Sequence, residues 1–229
     1  TALRHLERAV DIWRETGNDM LLASGLFNLS MVLHDAGRDA EAEPLVREAL
    51  ALRRASFGER HGLVGDTLRL LGEIQAGLGR DDAGATLRLA QTLTREGYGA
   101  QHSHTRRAEL SLARFEAIQG DTAALARLDV LADLPPGEHE LRKAGWLARA
   151  YAAGIRCSRP GARALELSNL DALLAQVQQA QPEGGAILRE VRGVRDACQS
   201  GALAARQVLN RAATAAAAVR SAPRRAKSS

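Results

Sequence analysis

The sequence predicts an all-α fold: a solenoid of antiparallel helix pairs, closed at its C-terminal end by a capping helix. Two stretches repeat each other at a spacing of about 42 residues, typical of helical hairpins that stack because none buries its apolar face alone. Hydrophobic residues make up 45% and aromatic residues 3% of the 229 residues, so we expect an interior of Leu, Ala and Val. No alternating apolar and polar run typical of a strand occurs.

Matching residues in two successive hairpins carry the repeat. In a first set, each residue recurs 42 positions later: Leu26, Leu29 and Gly37 are matched by Leu68, Leu71 and Gly79. In a second set, the spacing is one position shorter, 41 residues. Its members are Ala42, Ala49, Leu52, Phe57-Gly58 and His61, matched by Ala83, Ala90, Leu93, Tyr98-Gly99 and His102. The difference arises just after the Gly-Arg-Asp of 37–39 and 79–81, where a turn loses a residue at little cost.

Periodicity and turn residues divide the range 1–132 into one helix and three hairpins. Residues 1–16 place Leu3, Leu6 and Trp13 on one stripe, which indicates the second helix of a hairpin. The hairpins that follow are predicted at 19–36 with 39–56, at 62–78 with 82–96, and at 103–119 with a shorter helix to about 132. We expect Gly37 to end its helix in the left-handed conformation, and Gly120 to end another.

The second half keeps the hairpin rhythm with less similarity in sequence. Pro135-Pro136-Gly137 indicates a loop, followed by helices at 138–157 and up to 180 around a turn at 158–161. After 182–185, a last amphipathic helix carries Ile187, Leu188, Val191, Val194 and Ala197. We therefore predict repeats over 1–132, degenerate helical repeats and a capping helix over 133–200, and a basic tail rich in Ala and Arg, partly disordered, over 201–229.

The net charge of +4 belongs to the tail. Six of the 31 basic residues lie after residue 205, where there is no acidic residue, and the rest of the chain carries 25 basic against 27 acidic residues. The body therefore lacks the electrostatic footprint of a nucleic-acid-binding protein. No run of 18 apolar residues occurs, so no membrane span is predicted.

The first hairpin resembles a tetratricopeptide repeat. The resemblance rests on residues 26–50, with the segment Ala42-Glu-Pro-Leu-Val-Arg-Glu-Ala49-Leu50, and on the Phe57-Gly58-Glu59-Arg60-His61 that follows. These features are most similar to the 42-residue variety of kinesin light chain and of many bacterial signalling proteins, matching best over 1–60 and weakly beyond 132. Gln75 and Gly62 depart from the pattern. The resemblance implies a right-handed superhelix that binds proteins and is not an enzyme.

Candidate chemical groups have structural explanations that we favour. His61 and His102 repeat with the scaffold, as turn residues do and catalytic residues have no reason to do. His102-Ser103-His104 lacks the further ligands of a zinc site, so we expect no metal and no cofactor. Cys157 and Cys198 lie one repeat period apart, near the ends of two neighbouring first helices. We favour two buried thiols over a disulfide, because packed helix axes lie about 8–10 Å apart.

The resemblance implies that partners bind the concave groove lined by the first helix of each pair. With Leu29 in the core, the residues turned toward the groove that we predict to contact a partner are Phe27, Asn28, Met31, Asp35, Arg69 and Glu73. Phe27 and Met31 would anchor apolar partner groups, although packing of Phe27 on the preceding helix is equally compatible. Arg69 would clamp a partner carboxylate or, as we favour, pair with Glu73 four residues on.

We therefore predict a protein–protein interaction scaffold that holds a peptide or partner segment in its groove; self-association through the solenoid ends is left open. The alternative is the sensor or regulatory arm of a larger bacterial enzyme or regulator, a Ser/Thr kinase or transcription factor, whose active domain lies upstream. The chain opens within a helix and without Met, and we interpret it as a fragment. We expect a cytoplasmic location, or a periplasmic one if Cys157 and Cys198 are bridged.

Overall fold

The computed structural model describes residues 2–132, 139–180 and 185–201, and over these residues every regular element is a helix. The helices are α1 (Ala2–Glu15), α2 (Asp19–Asp35), α3 (Asp39–Phe57), α4 (Gly62–Gly77), α5 (Ala83–Tyr98), α6 (Ser103–Ile118), α7 (Thr122–Ala132), α8 (His139–Arg156), α9 (Arg163–Ala180) and α10 (Ala186–Gln199). The all-α prediction is confirmed, and the predicted helix ends agree within two residues. The predicted loop at 135–137, most of the turn at 182–185 and the tail after Gly201 lie outside the described residues.

The helices pack as a stack of hairpins. The two helices of each pair contact each other in α2/α3, α4/α5, α6/α7 and α8/α9. The first helices α2, α4, α6, α8 and α10 also contact one another in succession. Helix α10 packs against both α8 and α9, in the position predicted for a capping helix. This is the helix-pair packing of an α-solenoid.

Glycines end the first helices as predicted. Gly37 has φ 73°, its N–H donates to the His34 carbonyl at 2.8 Å, and the Arg38 N–H donates to the Leu33 carbonyl at 2.9 Å. Gly79 (φ 70°) and Gly120 (φ 96°) repeat the arrangement. A left-handed residue with these two hydrogen bonds is the Schellman motif, which satisfies carbonyls at a helix end. The chain thus turns sharply at the ends of α2, α4 and α6.

A second repeated device joins one hairpin to the next. Phe57 ends α3 and stacks on His61 with ring centroids 4.7 Å apart, while His61 Nδ1 accepts the Leu63 N–H at 3.1 Å to cap α4. Tyr98 and His102 repeat the stacking at 4.7 Å, and His102 caps α6. The two histidines therefore cap helices and pack against the preceding hairpin, as the recurrence of the motif predicts.

Helices α4 and α5 approach unusually closely because glycines line their contact. A Cβ on Gly65 would lie 2.8 Å from the backbone nitrogen of Thr94, and one on Gly62 would lie 2.7 Å from the Tyr98 ring. Ala90 is fully buried on the same helix pair. The contact with Tyr98 gives a physical reason for the glycine that follows His61, where the resembled family has proline.

The buried apolar residues form two clusters. One extends from Val10 to Leu93 over α1 to α5, and the other extends from Leu110 to Cys198 over α6 to α10. At the junction, the Thr105 hydroxyl contacts two backbone carbonyls of the preceding hairpin, those of Thr94 at 3.1 Å and Gly99 at 2.7 Å. The predicted division at residues 132 and 200 stays a prediction.

The favoured reading of the cysteines as free thiols was wrong. Cys157 and Cys198 form a disulfide with their Cα atoms 5.7 Å apart. Cys157 lies just beyond the end of α8 and Cys198 lies in the last turn of α10, which are the neighbouring helix ends that the spacing predicts. The bridge forms because the residues at these ends approach more closely than axes of helices packed along their length. Both side chains are buried.

Candidate functional site

A network of charged and hydrogen-bonding side chains crosses successive first helices. We call it the first-helix network; its members are His34 on α2, Asp66, Arg69 and Glu73 on α4, His104, Arg107, Ser111 and Arg114 on α6, Tyr151 on α8 and Glu190 on α10. Residues four or three apart on one helix share a face, which explains why Arg107, Ser111 and Arg114 lie together. The network lies on the helices that the resemblance assigns to partner binding.

Arg69 is the centre of this network. Its side chain is only 4% exposed, its Nε donates to Asp66 Oδ1 at 3.1 Å, and its Nη1 donates to Glu73 Oε2 at 2.8 Å. The second contact confirms the favoured pairing of Arg69 with Glu73. Nη2 is buried and has no acceptor among the described residues. Burial opposes a charge on Arg69, but the carboxylates of Glu73 and Asp66 raise its pKa well above the ordinary value.

The two carboxylates connect Arg69 to the neighbouring first helices. Glu73 accepts a hydrogen bond from the Ser111 hydroxyl on α6, and Asp66 Oδ1 lies 3.3 Å from His104 Nδ1. Burial would raise the pKa of Glu73, but the charges of Arg69 and His34 lower it to about 2. Burial also opposes the charge on Asp66, but Arg69 and His104 hold its pKa well below the ordinary value. Both groups are therefore carboxylates at neutral pH.

The network continues toward the C-terminal half through Arg114. The guanidinium of Arg114 lies 4.6 Å from the ring centre of Tyr151 and 4.0 Å from Glu190 Oε1, and the Tyr151 hydroxyl bonds Glu190. Burial raises the pKa of Tyr151 well above its ordinary value, so the phenol remains a donor. A cation, a ring and a carboxylate thus link α6, α8 and α10.

Arg107 differs from the other arginines of the network. It is half-buried on α6, and its guanidinium makes no hydrogen bond or ion pair with any described residue. Its charge contributes to the low pKa of Asp66. The planar guanidinium therefore has donors available for an added carboxylate.

The predicted groove residues have different environments. Asn28 and Asp35 are exposed on α2, Met31 and Glu73 are half-buried, and Arg69 is buried. Phe27 is 9% exposed and belongs to the core cluster. The Arg53 guanidinium of α3 lies 4.5 Å from its ring centre, so Phe27 packs on the helix that follows α2, whereas the alternative named the preceding helix. Partner binding by these six residues stays a prediction.

The contribution of α6 was not predicted from the sequence. Arg107, Ser111 and Arg114 lie one repeat period after Asp66, Leu70 and Glu73, so the repeat spacing was the signal that would have found them. Tyr151 and Glu190 carry no such signal, because they follow the degenerate part of the repeat. Within the described residues, no cluster of three His, Cys, Asp or Glu side chains is arranged to hold a metal ion.

No helix in the described part of the chain is long and apolar enough to cross a membrane. Comparison with known families gives two overlapping matches to a model described as tetratricopeptide repeat, over residues 1–55 and 21–83. No curated protein matches the chain. The matches cover α1 to α4, where the helix pairs and their Schellman turns follow the predicted repeat. Residues 1–83 are therefore similar to the tetratricopeptide repeat family, and the described residues as a whole form an all-helical stack of helix pairs.

Proposed function

We propose that the protein is an interaction scaffold that binds an acidic segment of a partner protein across the first-helix network. Tetratricopeptide repeats generally mediate protein–protein interactions, and stacked repeats present extended surfaces that suit a chain segment. The proposal rests on Arg107, because its guanidinium has no acceptor among the described residues and its charge acts on Asp66, which holds Arg69. Asn28 would contact the same segment from α2, and Asp35 would accept a hydrogen bond from a backbone N–H of that segment.

Preorganisation supports this reading. Hydrogen bonds hold the side chains of Asp66, Arg69 and Glu73 before any partner arrives. Binding therefore costs little free energy for ordering these three side chains, and Arg107, whose guanidinium no described residue holds by a hydrogen bond, becomes ordered when it meets the partner's carboxylate. The half-buried Met31 would supply adaptable apolar contact next to them.

A peptide-display screen with the whole chain tests the proposal. We expect the recovered peptides to be acidic, and Arg107→Gln to weaken their binding by about 1–2 kcal/mol, as loss of an anchor does. Arg47→Gln is the matched control, because Arg47 is an exposed arginine on the second helix α3 that pairs with Glu43. Basic or neutral peptides, or equal losses in the two variants, would contradict the proposal.

A regulatory role would extend this scaffold role. The regulatory arm of a larger kinase or transcription factor would use the same face, and the gene sequence upstream of Thr1 distinguishes it from a free-standing scaffold.

The Cys157–Cys198 bridge supports the periplasmic alternative over a cytoplasmic location, because disulfides persist in oxidising compartments. Titrating thiols in protein taken from its native compartment tests this.

A further inference from the structure

A cleft outside the first-helix network lies between α7, α8 and α9. Its volume is about 440 Å³, within the range of sites that hold small ligands. Ala152, Ala153, Leu170 and Leu173 form an apolar part of its lining, and Asp129, Arg149, Arg156, Glu166, Asn169 and Gln176 supply polar groups. The cleft borders the C-terminal end of α7, which has 11 residues where α9 has 18.

Glu166 in this cleft is a buried carboxylate that is not paired with a cation of the described residues. It is 5% exposed, accepts one hydrogen bond from Asn169 Nδ2 at 3.2 Å, and makes no ion pair with a described residue. Asp66 and Arg69 are equally buried but paired with each other. Burying a carboxylate without a cation costs desolvation free energy. A cationic ligand would offset that cost, and the described residues supply no such cation to Glu166.

The two arginines of the cleft already have hydrogen-bond acceptors among the described residues. Arg149 donates to the backbone carbonyl of Ala132 through Nε at 3.1 Å and Nη2 at 3.0 Å. Arg156 pairs with Asp129. The groups left for a ligand are therefore mainly acceptors: the Glu166 carboxylate and the side-chain oxygens of Asn169 and Gln176.

We propose that this cleft binds a cationic group on an aliphatic stem, an alkylguanidinium or alkylammonium. The charged head would bond Glu166 and Asn169, and the stem would pack on Ala152, Ala153 and Leu173, as lysine and arginine stems do on apolar surfaces. The chemistry fits a free small amine or a basic side chain of a partner protein. The site is separate from the first-helix network, so either proposal stands without the other.

The test is a titration of the whole chain with n-butylguanidinium, followed by the amide resonances of Ala152, Ala153 and Leu170. We expect saturable shifts, and at least about tenfold weaker binding of the neutral, isosteric n-butylurea. Glu166→Gln keeps the shape and should weaken butylguanidinium to the level of butylurea. Glu41→Gln is the control, since Glu41 is exposed on α3. Ala172→Leu, at an exposed position lining the cleft, should block entry without disturbing the core.

A capped Gly-Arg-Gly peptide separates the two sources. Binding of the peptide at the same resonances, as tightly as butylguanidinium, assigns the cleft to a partner side chain, whereas binding of butylguanidinium alone assigns it to a free amine. The proposal is wrong if neither probe shifts these resonances up to its solubility limit, or if Glu166→Gln binds butylguanidinium as the unchanged chain does. Circular dichroism of each variant confirms that it is folded.

Discussion

At the scale of single residues, charge pairing decides which polar groups the interior tolerates. His34 illustrates this at the end of α2, where its Nδ1 lies 2.6 Å from Asp39 Oδ1 and the negative charges of Glu73 and Asp35 act on its ring. Burial would lower the pKa of His34, but the hydrogen bond to Asp39 and the three negative charges raise it above the ordinary value. The imidazolium therefore ties α2 to α3 and, through Glu73, to α4.

This pairing predicts a pH-dependent stability. Because the pKa of His34 is raised on folding, its contribution is fully present below about pH 6.5, the ordinary value for histidine, and is lost as the pH rises through the folded value. We expect His34→Gln to lower the free energy of unfolding by about 1–2 kcal/mol at mildly acidic pH and by less at alkaline pH.

Denaturant titrations across this pH range measure the effect. His5→Gln, at an exposed position on α1, is the control and should leave stability nearly unchanged at each pH. A loss in His34→Gln that is the same at acidic and alkaline pH would show that packing, rather than charge, determines the role of His34.

At the scale of helices, glycine spacing determines how closely α4 and α5 pack. Gly65 brings the α4 backbone against that of α5, because a Cβ there would meet the Thr94 nitrogen at 2.8 Å. Gly145 in α8 is different, since its nearest neighbours would be carbonyl oxygens at 3.6 and 3.8 Å, an ordinary contact. Both are helical glycines, so alanine brings the same gain in helix propensity at each position.

Alanine substitution separates the two positions. We expect Gly65→Ala to destabilise the protein by about 1–3 kcal/mol, because the backbone must shift, and Gly145→Ala to be neutral or stabilising by up to about 1 kcal/mol. Denaturation midpoints of the two variants check this. Equal effects of the two substitutions would mean that the close approach of α4 and α5 does not determine the cost.

The helices and turns followed from the sequence because their signals are local. Gly37 and Gly79 mark turns by themselves, and the recurrence of His61 as His102 indicates a joint between hairpins. The first-helix network depends instead on side chains far apart in the chain, such as Arg114 and Glu190. The burial of Phe27 similarly depends on Arg53 of the next helix, which no periodicity of α2 reveals.

At the scale of the whole molecule, the two apolar clusters differ in how they are held together. The N-terminal cluster relies on the regular repeats, whereas the C-terminal cluster also has the Cys157–Cys198 bridge between α8 and α10. The bridge spans 41 residues of sequence, all within or beside the second cluster. Constraining the unfolded chain in a loop of that length stabilises the folded state by about 4 kcal/mol.

Reduction should therefore weaken the C-terminal cluster selectively. We expect hydrogen exchange in the reduced protein to accelerate in α8 to α10, where the capping helix loses its covalent tie, while α2 to α5 keep their protection. The oxidised protein of the same sequence is the matched control, and Cys157→Ala with Cys198→Ala should reproduce the reduced state. Uniform acceleration over all helices would show that the two clusters unfold as one cooperative unit. Unchanged exchange in α10 would show that packing of Val191 and Val194 alone holds the capping helix in place.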